Sequence, residues 1–252
     1  MMEQITSPKN PKILAWRSLK ERKGRLAHGA FLVEGDRMVT EALSSGYPVE
    51  ALLIRADRAG EAPPPGDYPA YLLSDQAFAA VSDTKTPQGL AAVVGMCPRR
   101  PEGTRLLALD RIQDPGNAGT ILRTADAAGL DGILLSPDCA DIFSPKVLRA
   151  TMGSIFRVGL DFPEDLAARL RALREEGYTV ISSQLDGAPF YERPDPGEKW
   201  VLVIGNEGSG VSLPVREAAS LRLRLPMRGG AESLNAAVAA GIMMYELMKQ
   251  KG

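Results

Sequence analysis

The sequence predicts an α/β protein in two blocks, the second built on a mostly parallel sheet. Three observations carry this. Short runs rich in Val, Ile and Leu alternate with helix-length amphipathic segments along most of the 252 residues. A stretch with two prolines and a glycine in seven residues, Cys97-Pro98-Arg99-Arg100-Pro101-Glu102-Gly103, divides that alternation. Beyond it, the strand-like runs are spaced by segments long enough to be helices that cover the sheet on both faces.

Before the joint, Phe31 to Gly35 reads as a strand and Asp36 as the N-cap of a helix from Arg37 to about Leu43. VEALLIR and YPAYLL are strands, separated by the loop from Gly60 to Asp67 with its Pro63-Pro64-Pro65 run. Asp75 caps a short helix through Ala80, and Leu90 to Met96 is an apolar, buried-type strand. After the joint, RLLALD is a strand, GNAGTILRTADAAG a helix and GILLS a strand. SPKVLRATMGS is a helix capped by Ser144 with Pro145 in its first position. FPEDLAARLRALREEG is a helix closed by Gly177. YTVISS, WVLVIG and LRLRLPM are strands, and SLNAAVAAGIMMYELMKQ is the last helix. Its Leu234, Val238, Ile242, Tyr245 and Met248 recur at helical spacing, as core packing or a partner surface would require.

Composition removes several function classes. A hydrophobic fraction of 44% with 24% charged residues excludes a disordered chain. Two distant cysteines, Cys97 and Cys139, exclude a disulfide scaffold and a CxxC zinc site, and no metal site is expected. One histidine, His28, in a polar run leaves no conventional His-based nucleophile. No apolar run reaches the ~18 residues of a membrane span, and no secretory leader is evident, so a cytoplasmic protein without membrane partners is expected. Charge is uneven: residues 1–28 hold seven basic and two acidic residues, +5, leaving −6 for the rest. Lys9, Lys12, Arg17, Arg22 and Lys23 are therefore candidate phosphate contacts. A solvated helix packing Ile13, Leu14, Trp16 and Leu19 would give the same pattern.

In open parallel sheets, ligands gather at the carboxyl ends of the strands. Four polar, glycine-rich segments come directly after strands in the second block: residues 111–123, 184–187, 206–210 and 226–235. Singly, each reads as a turn or cap. Together on one edge they read as a ligand site. There is no GxxxxGK[ST], and Gly205 to Gly210 comes too late and without a following long helix for a dinucleotide fingerprint.

These loops resemble the three motifs of the SpoU/TrmH family of RNA ribose methyltransferases, within the SPOUT superfamily. DPGNAGTILRTADAAGLDGILL is similar to the first motif, with Asn117, Gly119 and Arg123. VLVIGNEGSGVS is similar to the second, with Gly205, Asn206, Glu207, Gly208 and Gly210. LRLPMRGGAESLNAAVAAGIMMYE is similar to the third, with Pro226, Met227, Ser233, Leu234 and Asn235. The match runs from Arg105 to about Leu247, in the family's order and spacing. The first block, through VEGDRMVTEAL and SDTKTPQGLAAVV, resembles the L30e-like substrate-binding domain that many members carry.

The resemblance implies a basic segment with an L30e-like domain over residues 1–98 and a SPOUT-type methyltransferase domain with a C-terminal trefoil knot over residues 104–252. It implies S-adenosylmethionine as cofactor, contacted by Ser183, Ile204, Gly205, Asn206, Gly208, Leu225, Met227, Ser233, Leu234 and Ala236. Catalysis falls to Arg123, Asn117, Glu207, Ser233 and Asn235, with Arg123 also meeting RNA. A free guanidinium has a pKa above ~12, so Arg123 suits charge stabilisation of the attacking oxygen better than proton removal. The implied product is a 2′-O-methyl ribose, on 23S rRNA in preference to tRNA, made by a homodimer pairing through the knot domain. A tRNA enzyme and a non-catalytic RNA-binding factor on the same fold are the alternatives. The third motif departs slightly from the common pattern in its Arg228-Gly229-Gly230-Ala231-Glu232 run.

Overall fold

The computed structural model describes residues 2–61, 63–64 and 66–249. Pro65 of the triple-proline loop lies outside the described residues. The chain divides into two compact units, Met1–Cys97 with Phe143–Phe156, and Pro98–Ile142 with Arg157–Gly252.

The first unit runs β1 (Glu3–Ile5), α1 (Pro11–Ser18), α2 (Arg22–His28), β2 (Ala30–Glu34), α3 (Asp36–Ser44), β3 (Val49–Arg55), β4 (Ala70–Leu73), α4 (Asp75–Val81) and β5 (Leu90–Gly95). Its five-stranded sheet has the order β1-β4-β3-β5-β2. β5 is antiparallel to β2 and β3, whereas β4 is parallel to β1 and β3. The basic N-terminal segment is part of this unit's core. Asn10 caps α1 by accepting from the Lys12 amide at 2.9 Å, and Pro11 takes the first position. Ile13 and Leu19 then pack with Leu53, Leu73 and Phe78, and Trp16 lies 5.0 Å from the Tyr71 ring. Arg25 is buried, its Nη1 donating at 2.7 Å to the carbonyls of Leu19 and Lys20 at the end of α1, where the helix dipole favours a cation.

Two caps differ from the sequence-based expectation by one residue. Gly35, at φ +97°, precedes α3, so Asp36 is its first residue and not its cap. That positive φ is what favours glycine here, since the nearest atom to an added Cβ, Gln88 Oε1, is the movable end of a side chain. Ser74, accepting from the Ala77 amide, caps α4 in place of Asp75.

The segment Phe143–Phe156, which sequence patterning assigns with the second block, groups with the first. It carries α6 (Pro145–Thr151). The Phe31 ring lies 4.9 Å from Phe143 and 6.1 Å from Phe156, and Tyr47 meets Phe156 edge-on at 5.3 Å. Aromatic packing outweighs chain continuity here.

The second unit holds β6 (Arg105–Asp110), α5 (Pro115–Ala128), β7 (Gly132–Leu135), β8 (Gly159–Asp161), α7 (Leu166–Glu175), β9 (Thr179–Pro189), β10 (Trp200–Gly205), α8 (Leu213–Ala218), β11 (Leu221–Arg224) and α9 (Ala236–Met248). All five pairings of its six-stranded sheet, β11-β9-β10-β6-β7-β8, are parallel. β8 and α8 are absent from the sequence-based elements, since three and six residues are too short for periodicity to register. Strand order reverses at β6 and β10, which lie side by side with Asp110 opposite Gly205. That switch point opens a crevice at the carboxyl edge.

α9 buries Ala236, Ala237, Ala240, Met243 and Met244. The stripe at helical spacing faces outward: Val238 and Tyr245 are 51% and 52% exposed. The inward face packs along α5, where Gly241 lies opposite Thr124.

If α1 is a core element, Ile13→Ala should lower stability by about 2–5 kcal/mol. The exposed neighbour change Leu14→Ala should shift it by less than about 0.5 kcal/mol. Urea denaturation of the two variants compares them.

Candidate active site

The site is assembled from the segments at the carboxyl ends of β6, β9, β10 and β11. After β6, Arg111 takes the left-handed conformation, φ 59°, at a cost of about 1 kcal/mol for a non-glycine residue. This turn presents the Arg111 carbonyl to Asn206 Nδ2 at 2.9 Å, while Arg111 Nη2 reaches the Gly210 carbonyl at 3.3 Å. Asp110, almost fully buried, accepts from the Ser212 amide at 2.6 Å. The end of β6 thus clamps both ends of the loop after β10.

That loop closes on itself. Asn206 and Gly210 exchange two backbone hydrogen bonds, and Asn206 Oδ1 accepts from the Gly208 and Ser209 amides at 3.0 Å. A Cβ on Gly205 would come within 2.3 Å of the Gly210 and Val211 backbone, so only glycine permits the turn.

The second set of bonds ties the three loops together. Asp114 caps α5 through the Asn117 amide at 2.7 Å. Asn117 Nδ2 donates to Glu207 Oε1 at 2.9 Å, and Asn117 Oδ1 accepts from Asn235 Nδ2 at 2.9 Å. Asn235 also caps α9, its Oδ1 accepting from the Ala237 and Val238 amides. Asn117, Glu207 and Asn235 therefore form one chain of hydrogen bonds drawn from three distant parts of the sequence.

Beside this chain lies a cavity of about 610 Å³. Ser183 lines it from β9. Ile204, Gly205, Asn206, Glu207 and Gly208 line it from β10 and its loop. Leu225 and Met227 come just after β11, and Ser233, Leu234 and Ala236 come from the entry to α9. Gln184, Leu185, Asp186 and Glu232, from the flagged segments 184–187 and 226–235, also line it, together with Arg216 and Arg224, which sequence reasoning does not single out. Sequence patterning ends a strand at Ser183 and makes Gln184, Leu185 and Asp186 a loop, whereas they lie inside β9. β11 pairs with Ser182 opposite Arg222 and next with Ala188 opposite Leu223, so residues 183–187 arch out of the ladder. No sequence signal marks such a register shift. Asp186 accepts from Arg216 Nη2 at 2.6 Å.

Arg123 stands apart from this group. It is six residues beyond Asn117 on α5, about 240° around the helix, and it does not line the cavity. It is exposed and makes no hydrogen bond or ion pair among the described residues. Of the candidate phosphate contacts in the first unit, the side chains of Lys9, Arg17, Arg22 and Lys23 are exposed without a partner among the described residues. Lys12 is engaged, 2.6 Å from Glu3 Oε2 and 4.4 Å above the Tyr71 ring.

The cavity fits a nucleoside-type cofactor. Its volume lies in the ordinary range for small-molecule sites, and Ile204, Leu225, Met227 and Leu234 supply apolar surface for a base. No group of three or more His, Cys, Asp or Glu suited to hold a metal occurs among the described residues, and no helix among them is long and apolar enough to cross a membrane.

A parallel sheet with such a cavity at its switch point places the chain among the open-sheet α/β proteins that hold their ligands at the carboxyl edge. The chain belongs to the SpoU rRNA methylase family, whose model matches residues 104–245. The model of the MRM3-like substrate binding domain matches residues 10–92. The chain is 41% identical over 248 residues to the 23S rRNA (guanosine(2553)-2′-O)-methyltransferase RlmP of Bacillus subtilis, covering 98% of this chain and 99% of that one. Among solved structures, a putative TrmH-family RNA methyltransferase from Porphyromonas gingivalis superposes with a TM-score of 0.87 at 38% identity, over 95% and 97% of the two chains. An AdoMet-bound rRNA methyltransferase from Sinorhizobium meliloti also gives 0.87, at 30% identity, over 98% and 97%.

Asn235→Ala removes both the α9 cap and the link to Asn117, and should cost about 1–2 kcal/mol. Asn235→Asp keeps the capping oxygen but loses the donor to Asn117, and should cost less. Thermal denaturation of the two variants ranks them.

Proposed function

We infer that this chain is an S-adenosylmethionine-dependent RNA methyltransferase acting on a ribose 2′-OH of large-subunit ribosomal RNA. The observation that carries the reading is the Asn117–Glu207–Asn235 chain of hydrogen bonds standing beside the nucleoside-sized cavity. The 41% identity to a 23S rRNA 2′-O-methyltransferase over nearly the whole chain supports the substrate class. It also supports action in the cytoplasm, where a bacterial cell such as that relative's assembles its ribosomes.

In this reading Ile204, Leu225, Met227 and Leu234 enclose the adenine, and Gly205, Asn206, Gly208, Ser183, Ser233 and Ala236 line the rest of the cofactor. S-adenosylmethionine supplies a methyl group on a sulfonium, open to attack from the side opposite sulfur. The residues must then hold the ribose oxygen about 3–3.5 Å from that carbon and in line. Asn117 and Asn235, fixed by each other and by Glu207, orient the ribose, and Ser233 is a further polar contact at the cavity wall. The guanidinium of Arg123 stays charged and stabilises the oxygen as its proton leaves.

Arg123 does not reach its own cavity, which is the reason to infer a homodimer. Exposed Val238 and Tyr245 on α9 give an apolar face for pairing in the second unit. Pairing there would let each copy supply Arg123 to the other's site. The trefoil knot is part of the same reading. It is supported by the path from edge strand β11, past the loop after β10, to α9 against α5. In the first unit, Lys9, Arg17, Arg22 and Lys23 form the phosphate-facing surface, with Lys12 a weaker contributor because Glu3 already holds it.

Labelled methyl transfer to total RNA from cells lacking the gene tests the reading. Label is expected in 23S RNA; label in tRNA would keep the chemistry and overturn the substrate. Arg123→Ala should lower kcat at least about a hundredfold while leaving cofactor affinity within about twofold. Normal turnover in that variant would remove Arg123 from the reaction. Replacing Lys9, Arg17, Arg22 and Lys23 together by Gln should flatten the slope of log K for RNA against log salt by about 3. Substitution suits this test better than deletion of residues 1–28, which would remove Ile5, Ile13 and Leu19 from the core. An unchanged slope would take this surface out of the RNA interface.

A further inference from the structure

Five charged side chains line the cavity: Asp186, Glu207, Arg216, Arg224 and Glu232. Three of them are engaged. Asp186 pairs with Arg216 at 2.6 Å, and Glu207 accepts from Asn117 and Asn206. Arg224 and Glu232 are exposed, and neither makes a hydrogen bond or ion pair among the described residues, with the other or with a third group. The wall therefore presents one free cation and one free anion, both open to a ligand.

Both adjoin the apolar part of the cavity. Arg224 ends β11 and is followed directly by Leu225, and Glu232 stands two residues before Leu234. Arg224 is also opposite Pro189, just past the arch of residues 183–187. A few charged groups at the edge of an apolar pocket fix which ligand enters and how it lies. The nucleoside half of S-adenosylmethionine is neutral. Its methionine half ends in a zwitterion, a carboxylate and an ammonium on one carbon. A guanidinium matches a carboxylate with a fork of N–H donors, and a carboxylate accepts the N–H donors of an ammonium. Recruiting Arg216 or Asp186 for either charge would break the pair they already form, whereas Arg224 and Glu232 have nothing to give up.

We propose that Arg224 and Glu232 hold the amino-acid half of S-adenosylmethionine, Arg224 taking its carboxylate and Glu232 its ammonium. The proposal rests on the methyltransferase reading above. It makes the site selective for the whole cofactor over its nucleoside.

Calorimetric titration of the full chain tests it with three ligands. These are S-adenosylmethionine, its decarboxylated form, which keeps the amine, and 5′-methylthioadenosine, which lacks both charges. Arg224→Gln should bind S-adenosylmethionine about fivefold more weakly than wild type, the scale of one partly exposed charge-assisted contact, and the other two ligands equally well. Glu232→Gln should lose about fivefold for the first two ligands and nothing for 5′-methylthioadenosine. Arg222→Gln is the control for general charge, because Arg222 is exposed and unpaired among the described residues but does not line the cavity; its affinities should match wild type. The melting temperatures of all three variants without ligand should stay near the wild-type value. Wild-type affinity for S-adenosylmethionine in either Arg224→Gln or Glu232→Gln would overturn the proposal. So would an equal loss for 5′-methylthioadenosine, or an equal loss in the Arg222 control. An Arg224→Gln variant that keeps its cofactor affinity but flattens the salt dependence of RNA binding would assign the arginine to phosphate and overturn the proposal as well. Failure of wild type to bind both S-adenosylmethionine and 5′-methylthioadenosine would overturn the cofactor reading itself, a result distinct from the others.

Discussion

The hydrogen bond from Asn117 to Glu207 joins the start of α5 to the loop after β10, two segments 90 residues apart. Asn235 extends it to the entry of α9, so one side-chain chain couples three loops that have no backbone pairing with one another. Such a network is worth keeping only if every member is satisfied. Here each amide does a second task. The Asn117 backbone amide is held by the α5 cap, and Asn235 caps α9. Displacing one loop therefore disturbs a helix terminus as well, and this makes the cavity wall and the Asn117–Glu207–Asn235 cluster a single body.

The sheet supplies the frame for that body through two departures from regularity. At Arg111 the backbone enters the left-handed region, turning a carbonyl toward Asn206 and a guanidinium toward Gly210. Between β9 and β11 the register shifts, so residues 183–187 leave the ladder and close the far side of the cavity. Both are local costs offset by the binding geometry they create, and such costs gather where a fold meets its ligand.

The first unit meets a different requirement. Its basic residues lie mostly on the surface, yet the segment that carries them holds Ile13 and Leu19 in the core. The sequence solves this by helical spacing. Lys9, Arg17, Arg22 and Lys23 face water, while Arg25 turns inward to the carbonyls that end α1 and Lys12 pairs with Glu3. A cation count alone would treat all of these bases alike. Burial and pairing divide them into structural and available groups.

Alternation of apolar runs with helix-length segments was enough to specify the parallel second sheet, because a strand covered on both faces must be apolar throughout. The glycine-rich loops were legible too, since Gly205 and its neighbours record how closely two backbones approach. What composition and period do not encode is contact between distant segments. The placement of Phe143 and Phe156 with Phe31, the arch carrying Gln184, the outward turn of Val238 and Tyr245, and the separation of Arg123 from Asn117 on one helix each depend on what packs against what. The sequence by itself determined which residues are chemically equipped for the site, because that is a matter of residue type and local spacing. Only the tertiary structure decided which of them meet, because register and helix packing are settled by contacts across the whole chain.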